Sequence, residues 1–209
     1  MKYDSRIHHR RSIRLHGYDY SFPGAYFITI CAFNKEFLFG RIVDGQMQLN
    51  DWGQIVQTEW FRSGRIRGEL KLDMFIVMPN HVHGIVQFVG AGGARPVTVG
   101  ASGVRPIVKT VGYPPGGNLG ARRAPLRMRP RSLASFIAGF KCVVTRRIRE
   151  ISNAPRARVW QRNYYEHVIR NEDELNKIRD YIATNPLRWM LDRENPAAAI
   201  PLDDESPWL

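Results

Sequence analysis

The stretch from Leu70 to Phe88 constrains the fold more than any other part of this chain. Leu70 to Met78 and His81 to Phe88 are two strand-forming runs separated only by Pro79 and Asn80. So short a connection joins antiparallel neighbours, because parallel strands need a crossover of a dozen residues or more. The second run begins His-Val-His-Gly-Ile-Val. Side chains alternate across a strand, so His81 and His83 share one face while Val82 points to the other, into the expected core. Two imidazoles are thereby placed where both can reach one ion.

The other elements follow from local pattern. Gly24 to Phe33, rich in β-branched and aromatic residues, predicts a central strand. Leu38 to Leu49 carries the turn signal Val-Asp-Gly-Gln and predicts a hairpin. Asn50 or Asp51 then caps a helix with Ile55, Val56, Trp60 and Phe61 on one side. After Ser132, a helix cap, Leu133, Phe136, Ile137, Phe140, Val144 and Ile148 recur at helical spacing. A strand is expected from Val159-Trp160 toward Val168-Ile169, and a last helix opens at Asn171 with Glu172, Asp173 and Glu174 in its first turn and ends at Pro186. The order predicts an α+β fold, helices covering one face of a mainly antiparallel sheet.

Between residues 90 and 130 the composition shifts to Gly, Pro, Ala and Arg without one acidic residue, which predicts a flexible insertion. The expected organisation is a basic arm over 1–23, one domain made of 24–89 and 131–187, the insertion, and a tail over 188–209. With 31 Lys and Arg against 19 acidic residues, the net charge is +12, which suits a polyanionic partner such as nucleic acid. Arg10, Arg11, Arg14, Lys141, Arg146 and Arg147 are candidate phosphate contacts, weighed against ordinary solvated charge. Two cysteines, Cys31 and Cys142, give neither a disulfide framework nor a Cys-based zinc site. No apolar leader opens the chain and no run spans a membrane, so a cytoplasmic protein is expected.

Two histidines alone are a weak metal signal, since a useful catalytic site needs a third ligand. The last helix offers one. With Leu175 at zero, Tyr181 falls at about 240° and Asn185 at about 280°, beside the apolar stripe of Ile178 and Ile182. A phenol and an amide oxygen can then face the same ion; equally, Tyr181 can pack and Asn185 can cap the helix before Pro186. Tyr164 and Tyr165 are rival nucleophiles by chemistry, set against packing or base stacking, and His167 is either an assisting group or a structural hydrogen-bond partner.

His81-Val82-His83 resembles the His-hydrophobe-His motif of HUH endonucleases, and Asp180-Tyr-Ile-Ala-Thr-Asn-Pro186 resembles the helix that carries the tyrosine of single-tyrosine HUH transposases. Over most of the chain the resemblance is to the REP-associated tyrosine transposases. It is carried also by Ser-Ile-Arg-Leu-His-Gly-Tyr-Asp-Tyr from Ser12, Ser-Leu-Ala-Ser-Phe-Ile-Ala-Gly-Phe-Lys from Ser132 and Trp-Gln-Arg-Asn-Tyr-Tyr-Glu-His-Val-Ile-Arg from Trp160. Only the insertion departs from that compact pattern.

The resemblance implies a ferredoxin-like, RRM-related sheet in an HUH endonuclease fold. It implies Tyr181 as nucleophile, His81, His83 and Asn185 as ligands of Mg²⁺ or Mn²⁺, and single-stranded DNA with palindromic hairpins as partner. Nicking would proceed through a covalent 5′-phosphotyrosine, in a monomer or a homodimer. Two rivals stand beside it: a non-catalytic module that holds nucleic acid on an RRM-like sheet, and a metal hydrolase that uses water as nucleophile.

Overall fold

The computed structural model describes residues 23–89 and 130–198. Arg10, Arg11, Arg14 and residues 90–129 of the expected insertion lie outside the described residues. Six strands and three helices are present among them: β1 (Gly24–Cys31), β2 (Gly40–Val43), β3 (Gln46–Leu49), α1 (Asp51–Ile66), β4 (Leu70–Val77), β5 (His81–Phe88), α2 (Leu133–Ile151), β6 (Tyr165–Ile169) and α3 (Glu172–Thr184). A 3-10 segment, Asn185–Leu191, continues directly from α3. No described helix is long and apolar enough to cross a membrane.

Four strands form one antiparallel sheet in the order β4-β5-β1-β6. With α1 between β1 and β4 and α2 between β5 and β6, this is the βαββαβ order of a ferredoxin-like fold, as the sequence led one to expect. The expected hairpin is β2 and β3, paired Val43 to Gln46. Its two-residue turn places Asp44 at φ 51° and Gly45 at φ 72°, the primed geometry whose twist matches the flanking strands.

The helix starts are where their side chains predict. Asn50 accepts from the Gly53 amide, Asn171 accepts from the Glu174 amide, and Ser132 and Ser135 cap each other reciprocally. The strand expected from Val159-Trp160 is shorter than expected: Trp160 makes only an isolated bridge to Ala32, and the ladder begins at Tyr165.

The helices do not all share one face. The even residues of β1, Tyr26, Ile28 and Ile30, pack with Val82 and Val86 of β5 against Val56 and Trp60 of α1 and Phe136, Phe140 and Val144 of α2. Phe27 of β1 and Ile85 of β5 face the opposite way and pack with Leu175, Ile178 and Ile182 of α3. The expectation of helices on one face therefore holds for α1 and α2 and is corrected for α3. The reason lies in β1 itself: residues 26–30 are all buried, as in strands covered on both faces.

Gly84 shows how closely the first layer is packed. Trp60 lies stacked on Phe75, ring centroids 4.3 Å apart, directly over the Gly84 backbone. A Cβ added at Gly84 would stand 2.5 Å from Trp60 Cζ2 and 3.2 Å from Phe75 Cδ2, and neither ring is free to withdraw. Gly84→Ala should therefore cost about 1–3 kcal/mol, read as a lowered midpoint of urea unfolding; an unchanged midpoint would show that Trp60 repacks without penalty.

Candidate metal and tyrosine site

His81 and His83 lie on the α3 face of β5, opposite Cys31 and Thr29 of β1. Both are almost wholly buried, at 0% and 2% relative exposure, so they are interior polar groups that require partners. The Thr29 hydroxyl lies 2.9 Å from His83 Nδ1. Asn80 Oδ1 lies 2.8 Å from His81 Nδ1. The Asn80 amide nitrogen is committed, donating to the Lys35 and Glu194 carbonyls, so the atom facing His81 is the acceptor oxygen. His81 therefore carries its hydrogen on Nδ1 and its lone pair on Nε2.

That lone pair points at the second imidazole: His81 Nε2 and His83 Nε2 are 3.0 Å apart. Two nitrogens that ligate one ion at about 2.1 Å each, at a right angle, are themselves about 3 Å apart. Without an ion, a proton on His83 Nε2 satisfies the pair, and the Thr29 hydroxyl donates to Nδ1. With an ion held there, the His83 hydrogen would sit on Nδ1 and donate to Thr29 Oγ1. Thr29 and Asn80 thus orient the two rings, as outer partners orient imidazole ligands in metal sites.

The C-terminal face of α3 supplies the rest. The Tyr181 hydroxyl is 3.3 Å from His83 Nε2, and its ring packs against Phe27. Asn185 follows one turn later as the C-cap of α3 and is buried. Capping accounts for its backbone; its side chain turns inward, Nδ2 donating to Asp192 Oδ2 at 2.9 Å. Asn185 Oδ1 is buried with no hydrogen-bond partner among the described residues. Such an orphan acceptor suits a ligand position.

Asp192 was not a sequence candidate. It lies just beyond the 3-10 segment, is buried, and sits 3.8 Å from His81 Nε2. Ligand atoms of His81, His83 and Asp192 all fall within 4.8 Å of one another. Nothing local marks it, since an acidic residue after Trp-Met-Leu reads as surface; only the 3-10 segment, with Trp189 packed on the His81 ring at 6.1 Å, carries it inward. Two imidazoles and a carboxylate, the latter hydrogen-bonded by the Asn185 amide, form a donor set that suits a divalent metal ion.

Burial sets the electrostatics. It drives His81 down to about 3 and His83 well below the ordinary imidazole value, the latter helped by the other imidazole and by Arg193. It pushes the Asp192 carboxyl up, against the pull of the Glu194 amide, Asn185 and Arg193. It also raises the Tyr181 phenol, assisted by the Asp192 charge. The resting site thus has neutral imidazoles and a protonated phenol, and a cation is what would bring out the phenolate.

The basic residues of α2 lie elsewhere. Lys141 donates to the carbonyls of Gln161 and Asn163, Arg147 pairs with the buried Glu59 of α1, and Arg146 makes an exposed pair with Glu150. All three belong to the helix on the far face of the sheet from the histidines, and two are tied to structural partners. Tyr164 packs into the α1/α2 core, whereas Tyr165 stands on the site's face against Phe27. His167 pairs with Glu174 at 2.6 Å, and Glu174 also accepts from the Arg170 amide, a structural role at the head of α3.

Neutral burial of the histidines has a consequence for pH. Below the ordinary imidazole value of about 6.5 the unfolded chain binds protons that the folded pair refuses, so stability rises with pH there and is lost as pH falls below 6.5. The raised Asp192 works in the opposite sense. Unfolding free energy measured in chelator should decline from pH 7 to pH 5, and the slope should flatten in a His81→Gln, His83→Gln double variant. An equal slope in both proteins would mean the pair is not held neutral.

Comparison with known proteins adds a relative. The chain matches no protein-family model. Among solved structures it is similar to a REP-associated tyrosine transposase bound to a REP hairpin, with 17% identity, TM-score 0.48, and coverage of 79% of this chain and 68% of that one. It is also similar to a protein of Deinococcus radiodurans R1 named as a candidate transposase, with 14% identity, TM-score 0.36, and coverage of 81% and 95%. An uncharacterized protein of Haemophilus influenzae is 40% identical over 192 residues, 92% of this chain and 96% of that protein. At that identity over nearly the full length of both, the chain belongs to the family of the uncharacterized Haemophilus influenzae protein.

Proposed function

We propose that this protein nicks and rejoins single-stranded DNA at palindromic hairpins, with Tyr181 as the nucleophile and a divalent cation held by His81, His83 and Asp192 together with Asn185. The observation that carries the reading is the buried meeting of two imidazole Nε2 atoms, a carboxylate and a tyrosine hydroxyl within one cluster. The sequence resemblance of His81-Val-His83 and Tyr181-Ile-Ala-Thr-Asn185 to the HUH motifs supports it, as does the charge of +12.

The chemistry follows from the groups present. When bound, Mg²⁺ or Mn²⁺ would withdraw charge from the phosphodiester and favour the phenolate. Tyr181 Oη attacks phosphorus in line, the bond to the 3′-oxygen breaks, and that oxygen takes up a proton as the phenol loses its own. A 5′-phosphotyrosine and a free 3′-hydroxyl result, and since the phosphoester is conserved, the reverse step joins strands without ATP. The apolar wall of Phe27, Ile178 and Ile182 keeps water from competing with Tyr181.

Two measurements test this. Incubation with a single-stranded palindromic oligonucleotide and Mn²⁺ should yield a covalent adduct on denaturing gels, absent in Tyr181→Phe. Cleavage retained by that variant would instead establish a water nucleophile. Separately, Mn²⁺ at a hundred times its dissociation constant should stabilise the protein by about 2.7 kcal/mol, and His81→Ala and Asp192→Asn should each remove most of that gain. A melting temperature unmoved by Mn²⁺ would overturn the metal assignment.

A further inference from the structure

Arg193 follows Asp192 directly, in the turn after the 3-10 segment, and the nicking chemistry above makes no use of it. Its guanidinium carbon sits 5.3 Å from the centre of the Tyr165 ring. Tyr165 packs on Phe27 at 6.2 Å, and Phe27 in turn lies against His83 at 5.3 Å and Tyr181 at 6.1 Å. Two rings, Tyr165 and Phe27, thus link the guanidinium to the tyrosine and histidine pair, while its own backbone follows directly from the buried Asp192. It keeps a third of its side chain exposed, while the histidines and Asp192 below it are buried.

The one ion pair of Arg193 among the described residues is with a carboxylate that other groups share. The anion beside Arg193 is Glu194, 3.4 Å from its Nε, and that carboxylate is already served by Lys35 at 3.1 Å and the Cys31 thiol. Among the described residues, the guanidinium has this ion pair and the Tyr165 ring, and its terminal nitrogens donate no hydrogen bond. Its charge is felt by His81, His83, Tyr181 and Asp192 alike. A planar cation held against a ring, one-third exposed and with terminal N–H donors not engaged in hydrogen bonds, suits a phosphate gripped through two oxygens.

We propose that Arg193 is a phosphate clamp at the mouth of this site, binding the non-bridging oxygens of a single-stranded DNA phosphodiester beside Tyr181. The proposal rests on the nucleic-acid reading above. Held by Tyr165, the donors lose little freedom on binding and stabilise the charge that gathers on phosphorus oxygens as Tyr181 attacks. Arg193 is then a catalytic residue separate from the metal ligands, and Tyr165 is its positioning residue, which gives that tyrosine a role other than that of a rival nucleophile.

The test uses the full chain. Binding of a fluorescent single-stranded oligonucleotide is measured against salt in the Mn²⁺-loaded Tyr181→Phe protein, alone and with Arg193→Gln, Arg193→Lys or Arg62→Gln added. Arg62, an exposed α1 residue paired with Glu59, lies on the opposite helix layer and serves as the charge control. Loss of one phosphate contact should make the slope of log affinity against log salt shallower by about 0.7 in Arg193→Gln, with Arg193→Lys keeping the slope and Arg62→Gln unchanged. In the protein that retains Tyr181, Arg193→Gln should slow adduct formation at least about a hundredfold while the stabilisation by Mn²⁺ stays as it was.

An Arg193→Gln slope equal to the parent's, or the same loss in Arg62→Gln, overturns the clamp and leaves the nicking reading standing. Binding without any adduct in the unsubstituted protein overturns the nicking reading, and the slope still decides the clamp. No binding of the oligonucleotide overturns both.

Discussion

The pairing of β1 with β5 is the constraint on which the rest depends. It runs from Gly24 opposite Phe88 to Cys31 opposite His81, and it is the centre of the sheet. Because a one-residue slip would turn every side chain to the other face, the register is held by apolar demand on both sides at once. Tyr26, Ile28, Ile30, Val82 and Val86 must meet α1 and α2, and Phe27 and Ile85 must meet α3. That demand leaves His81 and His83 on the α3 face, with Thr29 placed to orient one of them.

From this follows an unusual economy in the site. The histidines lie on a central, buried strand of the sheet, the tyrosine on a helix packed over that strand, and the carboxylate just beyond the short segment that continues from the helix. A rigid strand holds ligand geometry well, and a helix joined through a 3-10 turn carries both Tyr181 and Asp192 as one piece. The Trp60 ring, close against Gly84 from the other side, supports the strand immediately after His83. Packing on one face of the sheet thus fixes chemistry on the other.

Much of this was legible in the chain. Alternation placed both histidines on one face; helical spacing put Tyr181 and Asn185 beside the buried stripe; Asn50, Ser132 and Asn171 announced their helices, because caps and turns are local and depend on neighbours within four residues. The placement of α3 was harder, since an amphipathic helix states that it has a buried side without stating against what. The successive apolar residues Tyr26-Phe27-Ile28, without alternation, carried the answer, a strand covered on both faces. The basic flank of α2 invited a reading as phosphate contacts, and Lys141 and Arg147 proved to be held by carbonyls and by Glu59. A cation's partner is a tertiary matter.

By itself, the sequence determined the elements, the antiparallel pairing of β4 with β5, and the presence of two imidazoles with a common face, all consequences of the two backbone periodicities. Only the tertiary structure decided that Asp192 joins them and that Arg193 stands at the rim. Both lie more than a hundred residues from the histidines, in a stretch with no periodic pattern of its own, and they reach the site because Pro186 ends α3 and the 3-10 segment packs Trp189 over His81. Long-range contacts of this kind are set by how an apolar surface is covered, and no local window of residues contains that information.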